Sequence, residues 1–180
     1  MKVLNNYLLT GEESQRLTYR LLDTNDMQEW LKFCAYPDSL KYIFDPKDLD
    51  KTPEEKCKLW FNKVFWRYEN NKGGMNALID KETGLLVGQC GLLIQVVDGI
   101  EELEIGYSLM PAFRGKGYAS EAAQKCKDFA FKNNFRDSLI SIINEGNTSS
   151  ENVALKNGMH MDKNTLFSET RVNIFRIHKP

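Results

Sequence analysis

The sequence of 180 residues lacks several features that mark common functional classes. It has only two histidines and four cysteines, with no C-x-x-C pair, which excludes the common zinc patterns and predicts reduced thiols and no bound metal. It has no long Lys/Arg block and a net charge of −1, which argues against nucleic acid as a partner. No apolar run of about 18 residues occurs, and the first residues have no apolar core for export. We therefore expect a cytoplasmic protein with no membrane partner.

The remaining composition is typical of one globular domain. With 42% hydrophobic residues the chain can bury a substantial core. No internal repeat and no low-complexity linker interrupts the sequence. We therefore predict a single domain over residues 1–180, in which residues 1–12 form a short N-terminal arm.

The first part of the chain predicts a strand, a helix and a loop. Residues 15–22 alternate as a strand does, and residues 23–26 provide a turn and a helix cap. Pro37 should end the helix that follows. Residues 35–51 are predicted to form a loop whose aromatic residues are Tyr36, Tyr42 and Phe44.

A second helix is predicted from the residues at its N-terminus. Thr52 is the predicted N-cap, Glu55 completes a capping box, and residues 73–74, both glycine, should end the helix. Its aromatic residues allow two interpretations. They are either simply part of the core, or Trp60 or Trp66 lines an acceptor pocket.

From residue 75 the pattern changes to extended segments. Residues 75–79, 85–97 and 101–109 are joined by short links, which predicts an antiparallel meander and not the parallel order of a Rossmann half. A helix then begins near Tyr118. The strand predicted after it, residues 138–143, should be a parallel neighbour of residues 101–109, because the two are joined by a helical crossover.

The chain is organised around residues 101–120. Pro111 ends the strand, and a glycine turn follows, Arg114-Gly115-Lys116-Gly117-Tyr118-Ala119. This turn leaves backbone N–H groups uncovered at the start of a helix, where a phosphate binds well. A plain glycine turn is the alternative. No P-loop pattern occurs, and Ser120 replaces the third glycine of a dinucleotide fingerprint.

A second patterned segment follows the predicted strand at residues 138–143. It reads Asn147-x-x-Ser150-x-x-Val153-Ala154-x-Lys156-x-Gly158-Met159. Taken alone, it is a well-capped amphipathic helix, with Ser149 or Ser150 as N-cap and Gly158 as its C-terminal stop. Residues 164–170 and 171–178 are predicted to form a closing hairpin.

Together these two segments resemble the GNAT family of N-acetyltransferases. Arg114-x-x-Gly117-x-Ala119 is similar to the family's Arg/Gln-x-x-Gly-x-Gly/Ala motif, and the Asn147 segment resembles the subfamily that acetylates the N-termini of ribosomal proteins (RimJ/RimL-like). The resemblance covers roughly residues 13–178. It implies an α/β (α+β) fold with a central mixed, mostly antiparallel sheet of about seven strands. That sheet is splayed between strands 4 and 5 and has helices on both faces.

The resemblance also implies a cofactor, acetyl-CoA as co-substrate. The backbone N–H groups of residues 114–119 would hold its pyrophosphate, aided by the charges of Arg114 and Lys116. A bulge in the fourth strand, near residues 107–109, would let the pantetheine arm bind like an extra strand, with the Leu109 N–H as oxyanion donor. The expected cofactor-binding residues are Tyr107, Ser108, Leu109, Arg114, Gly115, Lys116, Gly117, Tyr118, Ala119, Ser120, Asn147 and Ser150.

The implied reaction is direct attack of an amine on the thioester, and it needs a base. We expect Glu104, in the middle of the fourth strand, to be this general base, because partial burial would raise its pKa. The alternative is a surface or salt-bridged glutamate in an acidic run that could attract a cationic amine. Many family members carry a tyrosine that protonates the leaving thiolate. Here Val153, Ala154 and Leu155 occupy that stretch, so we expect Ser150 to act as the general acid. For Ser150 the alternative is a cap or a pantetheine contact only.

The acceptor amine is left open by the sequence. A protein N-terminus of the ribosomal type is favoured, and a polyamine, an antibiotic of the aminoglycoside type or another amine is the alternative. A non-catalytic acyl-CoA-binding or regulatory domain is a further alternative, which the presence of Glu104 disfavours. We expect a monomer or a homodimer.

Overall fold

In the computed structural model, which describes residues 5–43 and 46–180, seven strands form one sheet in the order β1-β2-β3-β4-β5-β7-β6. The strands are β1 (Leu17–Leu21), β2 (Gly73–Asp80), β3 (Leu86–Val97), β4 (Ile100–Leu109), β5 (Ser138–Asn144), β6 (His160–Phe167) and β7 (Thr170–His178). All neighbouring pairs are antiparallel except β4 and β5, which are parallel. The predicted mixed, mostly antiparallel sheet is therefore confirmed.

Helices cover both faces of this sheet. They are α1 (Asp26–Ala35), α2 (Pro37–Leu40), α3 (Pro53–Glu69), α4 (Tyr118–Lys132) and α5 (Thr148–Lys156). On one face the small side chains of α4 let it lie close to β4, and Ala122 and Cys126 are buried with Leu103 and Ile105. On the other face α1 and α3 bury a second core, which includes Trp30, Phe61, Met75 and Leu93. Leu103 and Ile105 of β4 therefore face α4.

The link between β3 and β4 explains how the meander turns so tightly. Asp98 and Gly99 both have positive φ, 50° and 78°. Two positive φ values in a two-residue link match the twist of antiparallel strands, and aspartate followed by glycine is a sequence suited to that conformation. The tight link predicted at this position is confirmed.

The β4 and β5 strands touch at one point and then separate. Glu104 and Ile140 are the single registered pair between them. Against β3, β4 keeps one constant register from Ile100 to Leu109. The bulge predicted near residues 107–109 is therefore wrong. The gap beside β4 opens because β5 diverges, without an extra residue in β4.

Several predicted boundaries also need correction. Pro37 ends α1 as expected, but it also begins α2, because the fixed φ of proline suits the first position of a helix. The predicted loop at residues 35–51 therefore contains α2 and a short 3-10 helix, Pro46–Asp48. Phe44, one of the three aromatic residues predicted there, lies outside the described residues.

Two further differences concern turns. The capping box of Thr52 and Glu55 is present, but α3 ends at Glu69 and not at the glycines of residues 73–74, which begin β2. The closing hairpin turns at residues 168–169, where both φ values are positive. Its first strand, β6, begins at His160, earlier than the predicted residue 164.

The described part of the N-terminal arm is held against the sheet. Leu9 is fully buried, and its N–H donates to Asn76 Oδ1 at 3.0 Å. The amide of Asn5 donates to the carbonyl of Gly73 at 3.0 Å. Within the described ranges no helix has the length and apolar character that crossing a bilayer requires.

Candidate functional site

A cleft of about 960 Å³ opens where β4 and β5 diverge. Its walls come from β4, β5, α3, the turn before α4, the start of α5 and the β6–β7 hairpin. The predicted site residues that line it are Glu104, Tyr107, Ser108, Leu109, Arg114, Gly115, Gly117, Ala119, Ser120, Asn147 and Ser150. Lys116 and Tyr118 are in the turn, but their side chains are not part of the lining.

At one end of the cleft, the turn before α4 presents free N–H groups. Gly115 and Gly117 have φ of 73° and 83°, a conformation that glycine adopts without strain. Gly117 is the N-cap and has no side chain to bond the first turn, whose first internal bond is Glu121 N–H to Gly117 O at 3.1 Å. The N–H groups of residues 118–120 therefore remain available to an anion, with the positive end of the helix dipole behind them.

Arg16 fastens this turn to the sheet. Its guanidinium makes a 2.7 Å ion pair with Glu121, donates to the carbonyl of Lys116 at 2.9 Å and lies 4.2 Å from the Tyr118 ring centre. Partial burial would raise the pKa of Glu121, but hydrogen bonds from Ser14 and from Arg16 hold it below its usual range. Nothing local in the sequence indicates this contact, because Arg16 and Lys116 are 100 residues apart in the chain.

The side chains of Tyr118 and Arg114 point away from the free N–H groups. The Tyr118 hydroxyl donates to Asp80 Oδ2 at 2.7 Å. Arg114 donates through Nε to the carbonyl of Leu109 at 3.2 Å and through its outer nitrogen to the hydroxyl of Ser39. The Arg114 guanidinium thus fixes the end of β4 against α2, and Arg114 lines the cleft. The predicted attraction of its charge for a pyrophosphate stays a prediction.

The edge of β4 facing the gap carries unpaired backbone groups. Met110 N–H bonds to Val87 O in β3 at 3.0 Å. Because backbone groups alternate along an antiparallel strand, the N–H groups of Tyr107 and Leu109 point away from β3 and into the gap. The Ser141 hydroxyl donates to Ile105 O on the same edge at 2.9 Å, which agrees with this direction. A strand-like ligand could bond there.

Glu104 lies half-buried at the point where the gap begins. Gln95 donates to its carboxylate at 2.7 Å, and Arg67 donates to Gln95 at 3.0 Å. Burial raises the pKa of Glu104 above its ordinary value, while the Gln95 hydrogen bond and the charges of Arg67 and Lys63 oppose the rise. A carboxylate with a raised pKa in a cleft can accept a proton near neutral pH.

The acidic run of β4 divides into separate environments. Glu101 pairs with Arg136 and Glu102 with Arg176, each at 2.7 Å. Neither lines the cleft. Of the three, Glu104 alone faces the cleft, so the alternative of a salt-bridged surface carboxylate describes Glu101 and Glu102. The acidic run therefore contributes one carboxylate to the cleft, that of Glu104, and not three.

At the start of α5 the structure corrects the predicted cap. Asn147 is the N-cap, and its side-chain oxygen accepts from Ser150 N–H at 3.3 Å, so neither Ser149 nor Ser150 caps the helix. The Ser150 carbonyl accepts from the Tyr107 hydroxyl at 2.7 Å, which ties α5 to β4. The Ser150 side chain also hydrogen-bonds Tyr107, which opposes the rise that burial gives to the pKa of Tyr107, and Ser150 lines the cleft.

The α3 wall settles the placement of the two tryptophans. Trp60 lines the cleft, and its indole N–H donates to Gln89 Oε1 at 2.8 Å. Trp66 is 53% exposed and lies outside the cleft. Lys63, Arg67 and Gln95 also line the cleft and were not anticipated. A signal for Gln95 is present in the sequence, because it is a polar residue within the apolar run of β3.

The sequence matches the family model described as Acetyltransferase (GNAT) domain over residues 16–160. The chain is 38% identical over 130 residues to the uncharacterized protein YkkB of Bacillus subtilis, covering 71% of each chain. It is 29% identical over 153 residues to the uncharacterized N-acetyltransferase YnaD of Bacillus subtilis, covering 83% of this chain and 82% of the relative.

Solved structures share the fold over nearly the whole chain. An acetyltransferase from Agrobacterium tumefaciens superposes with a TM-score of 0.78 at 26% identity, covering 96% of both chains. RimL, a ribosomal-protein alpha-N-acetyltransferase in complex with coenzyme A, has a TM-score of 0.72 at 13% identity, covering 95% and 97%. Spermidine N-acetyltransferase from Vibrio cholerae, with CoA and spermine, has 0.69 at 18%, covering 91% and 95%. The last two similarities show the fold alone.

Proposed function

The chain is an N-acetyltransferase that belongs to the GNAT acetyltransferase family, and from this premise we propose that it transfers the acetyl group of acetyl-CoA to a primary amine, with a protein N-terminal α-amine as the favoured acceptor. The observation that carries the proposal is a half-buried carboxylate, Glu104, at the opening of a cleft that leads to a helix N-terminus with free N–H groups.

The cofactor would lie along the gap between β4 and β5. Its pyrophosphate meets the N–H groups at residues 114–120, where helix dipole and uncovered donors coincide. Its pantetheine amides bond the β4 edge at residues 107–109 in the manner of a strand, and Asn147 closes the other side. Solved relatives of the same fold are complexes with CoA, which supports this assignment.

The chemistry then needs three groups at the thioester. An alkyl amine is mostly protonated at pH 7, so Glu104 takes its proton, directly or through water. The neutral amine attacks the carbonyl carbon, a C–N bond forms, and the Leu109 N–H stabilises the oxyanion. The C–S bond breaks, Ser150 supplies a proton to the leaving thiolate, and the Ser150 hydroxyl is restored by the proton that the newly acylated nitrogen loses as it becomes the amide.

Two solved structures of the same fold suggest two classes of acceptor, a ribosomal-protein N-terminus and a polyamine. We favour the peptide because the acidic residues Glu101 and Glu102, which could attract a polyamine, are neutralised by arginines outside the cleft. We further propose that the reaction takes place in the cytoplasm.

The test is free-thiol release from acetyl-CoA with short peptides, polyamines and aminoglycosides, and a blank without acceptor, followed by mass spectrometry of the products. Acetylation of peptide α-amines supports the proposal. Acetylation confined to polyamines or aminoglycosides moves the function to small amines. The absence of acetylated product from every amine contradicts it.

A further inference from the structure

The acceptor side of the cleft is walled by one face of α3. Trp60, Lys63, Val64 and Arg67 recur at helical spacing and all line the cleft. Two of these four side chains are cationic and lie one helical turn apart, so the wall presents two positive charges. A polyamine site would be expected to present carboxylates here.

The two cations differ in how they are used. Arg67 is buried and donates to the carbonyls of Lys72 and Ile94 and to Gln95. Lys63 is exposed to the cleft and, within residues 5–43 and 46–180, has no hydrogen bond or ion pair. The guanidinium therefore holds the structure together, whereas the ammonium keeps its three donors for something else.

The negative charge next to this wall is small. Of the carboxylates in the described part of the chain, Glu104 is the one that acts electrostatically on both Lys63 and Arg67. Partial desolvation and the repulsion of Arg67 lower the pKa of Lys63, and Glu104 opposes this only in part. Asp38 and Asp48 also line the cleft, but neither is among the groups that shift the pKa of Lys63 or Arg67. Once Glu104 accepts a proton from the amine, its charge therefore no longer offsets the two cations.

We propose that Lys63 binds a carboxylate of the acceptor, so that the enzyme acts on amines bearing an anionic oxygen group close to the amino group. This inference rests on the proposed function. An ammonium donor and a carboxylate form a charge-assisted hydrogen bond, and the acceptor's negative charge offsets the two cations during proton transfer. Free amino acids and peptides with an acidic residue beside the N-terminus carry such a group. A polyamine instead adds positive charge beside Lys63.

Matched acceptors test the proposal directly. The peptide pair Ser-Asp-amide and Ser-Asn-amide differs only in the side-chain carboxylate, and serine and serine amide differ only at the α-carboxylate. The wild type should prefer the carboxylate member of a pair by about tenfold or more in kcat/KM. The pair that shows the preference identifies the source of the carboxylate, a peptide or a free amino acid.

Two lysine variants of α3 separate the role of Lys63 from general charge. Lys63→Met should abolish the preference by lowering kcat/KM about tenfold for the carboxylate member only. Lys58→Met removes an exposed lysine outside the cleft lining and should keep the preference. Thermal melting of both variants confirms that the fold is intact.

The outcomes separate the inference from the function on which it rests. Equal kcat/KM for both members of each pair in the wild type, or a preference that survives Lys63→Met, overturns the inference while acetyl transfer stands. Acetyl-CoA binding without transfer to any amine contradicts the proposed function and the inference with it.

Discussion

Gln95 donates a 2.7 Å hydrogen bond to the carboxylate of Glu104 and accepts one of 3.0 Å from Arg67. The amide thus carries the influence of a buried guanidinium to the proposed base without a direct ion pair. Burial raises the pKa of Glu104, and this hydrogen bond opposes the rise because it favours the ionised form. Gln95 therefore holds the carboxylate of Glu104 in place and reduces the rise in its pKa that burial causes.

Gln95→Leu should move the acidic limb of the pH–rate profile to higher pH. The sign follows from the bond that is lost: without it the carboxylate of Glu104 holds its proton to a higher pH, and activity requires the ionised form. The loss in kcat/KM should be large at low pH and small at high pH. The measurement is kcat/KM between about pH 5 and pH 9.

The control for this change is Gln124→Leu, which replaces an exposed glutamine on α4. Its profile should match the wild type. A Gln95→Leu profile that is lowered equally at every pH would show that the amide acts only on structure.

Local signals in the sequence were sufficient for most of the fold and for part of the site. The cap of Thr52 and Glu55, the Asp98-Gly99 turn and the start of α4 at Tyr118 depend on neighbouring residues, and each was predicted correctly. The resemblance supplied the number of strands and the splay between strands 4 and 5, which depend on contacts between distant parts of the chain.

The parts that could not be predicted depend on tertiary direction. The motif did not indicate that the Arg114 side chain contacts the end of β4 and α2. Asn147 competes with Ser149 and Ser150 for the cap, and sequence alone does not rank three suitable residues that lie so close together. The α3 wall was recognised for its aromatic residues, because a lysine or arginine on an amphipathic helix is normally solvent-facing.

Gly117→Ala should weaken acetyl-CoA binding more than it destabilises the fold. A residue with a Cβ at φ of 83° carries backbone strain of about 1 kcal/mol, and the turn relaxes by moving the N–H groups of residues 118–120. We expect a raised KM for acetyl-CoA and a small fall in melting temperature. Isothermal titration with CoA gives the binding change directly.

Gly99→Ala provides a matched control for the strain. Gly99 has a φ of 78° in the β3–β4 turn, far from the cleft in the fold, and its added Cβ would meet no atom within 4 Å. It should lose a similar stability with unchanged KM for acetyl-CoA. Equal effects of both variants on the KM for acetyl-CoA would show that the turn at Gly117 does not bind the cofactor.

Ser150→Ala should leave α5 intact and reduce turnover. The cap belongs to Asn147, so we expect the free energy of unfolding to change by less than about 0.5 kcal/mol. A fall in kcat with an unchanged KM for acetyl-CoA would follow from the loss of the proton for the thiolate. Unchanged kcat would limit Ser150 to its contacts with Tyr107.

Asn147→Ala should show the opposite balance. Loss of the cap should cost about 1 kcal/mol of stability, because the first turn of α5 loses its side-chain acceptor. Acetyl-CoA binding should weaken as well, since Asn147 lines the cleft. Chemical denaturation and CoA titration measure the two effects separately, and a variant as stable as the wild type would contradict the assigned cap.

The most direct test of general-base catalysis by Glu104 is thiol release by Glu104→Gln, measured with an acceptor that the wild type acetylates. The amide keeps the shape of the side chain but cannot accept the proton of the amine. We predict a fall in kcat of about 10²- to 10⁴-fold at neutral pH with CoA binding unchanged. Turnover at the wild-type rate would show that Glu104 is not the base.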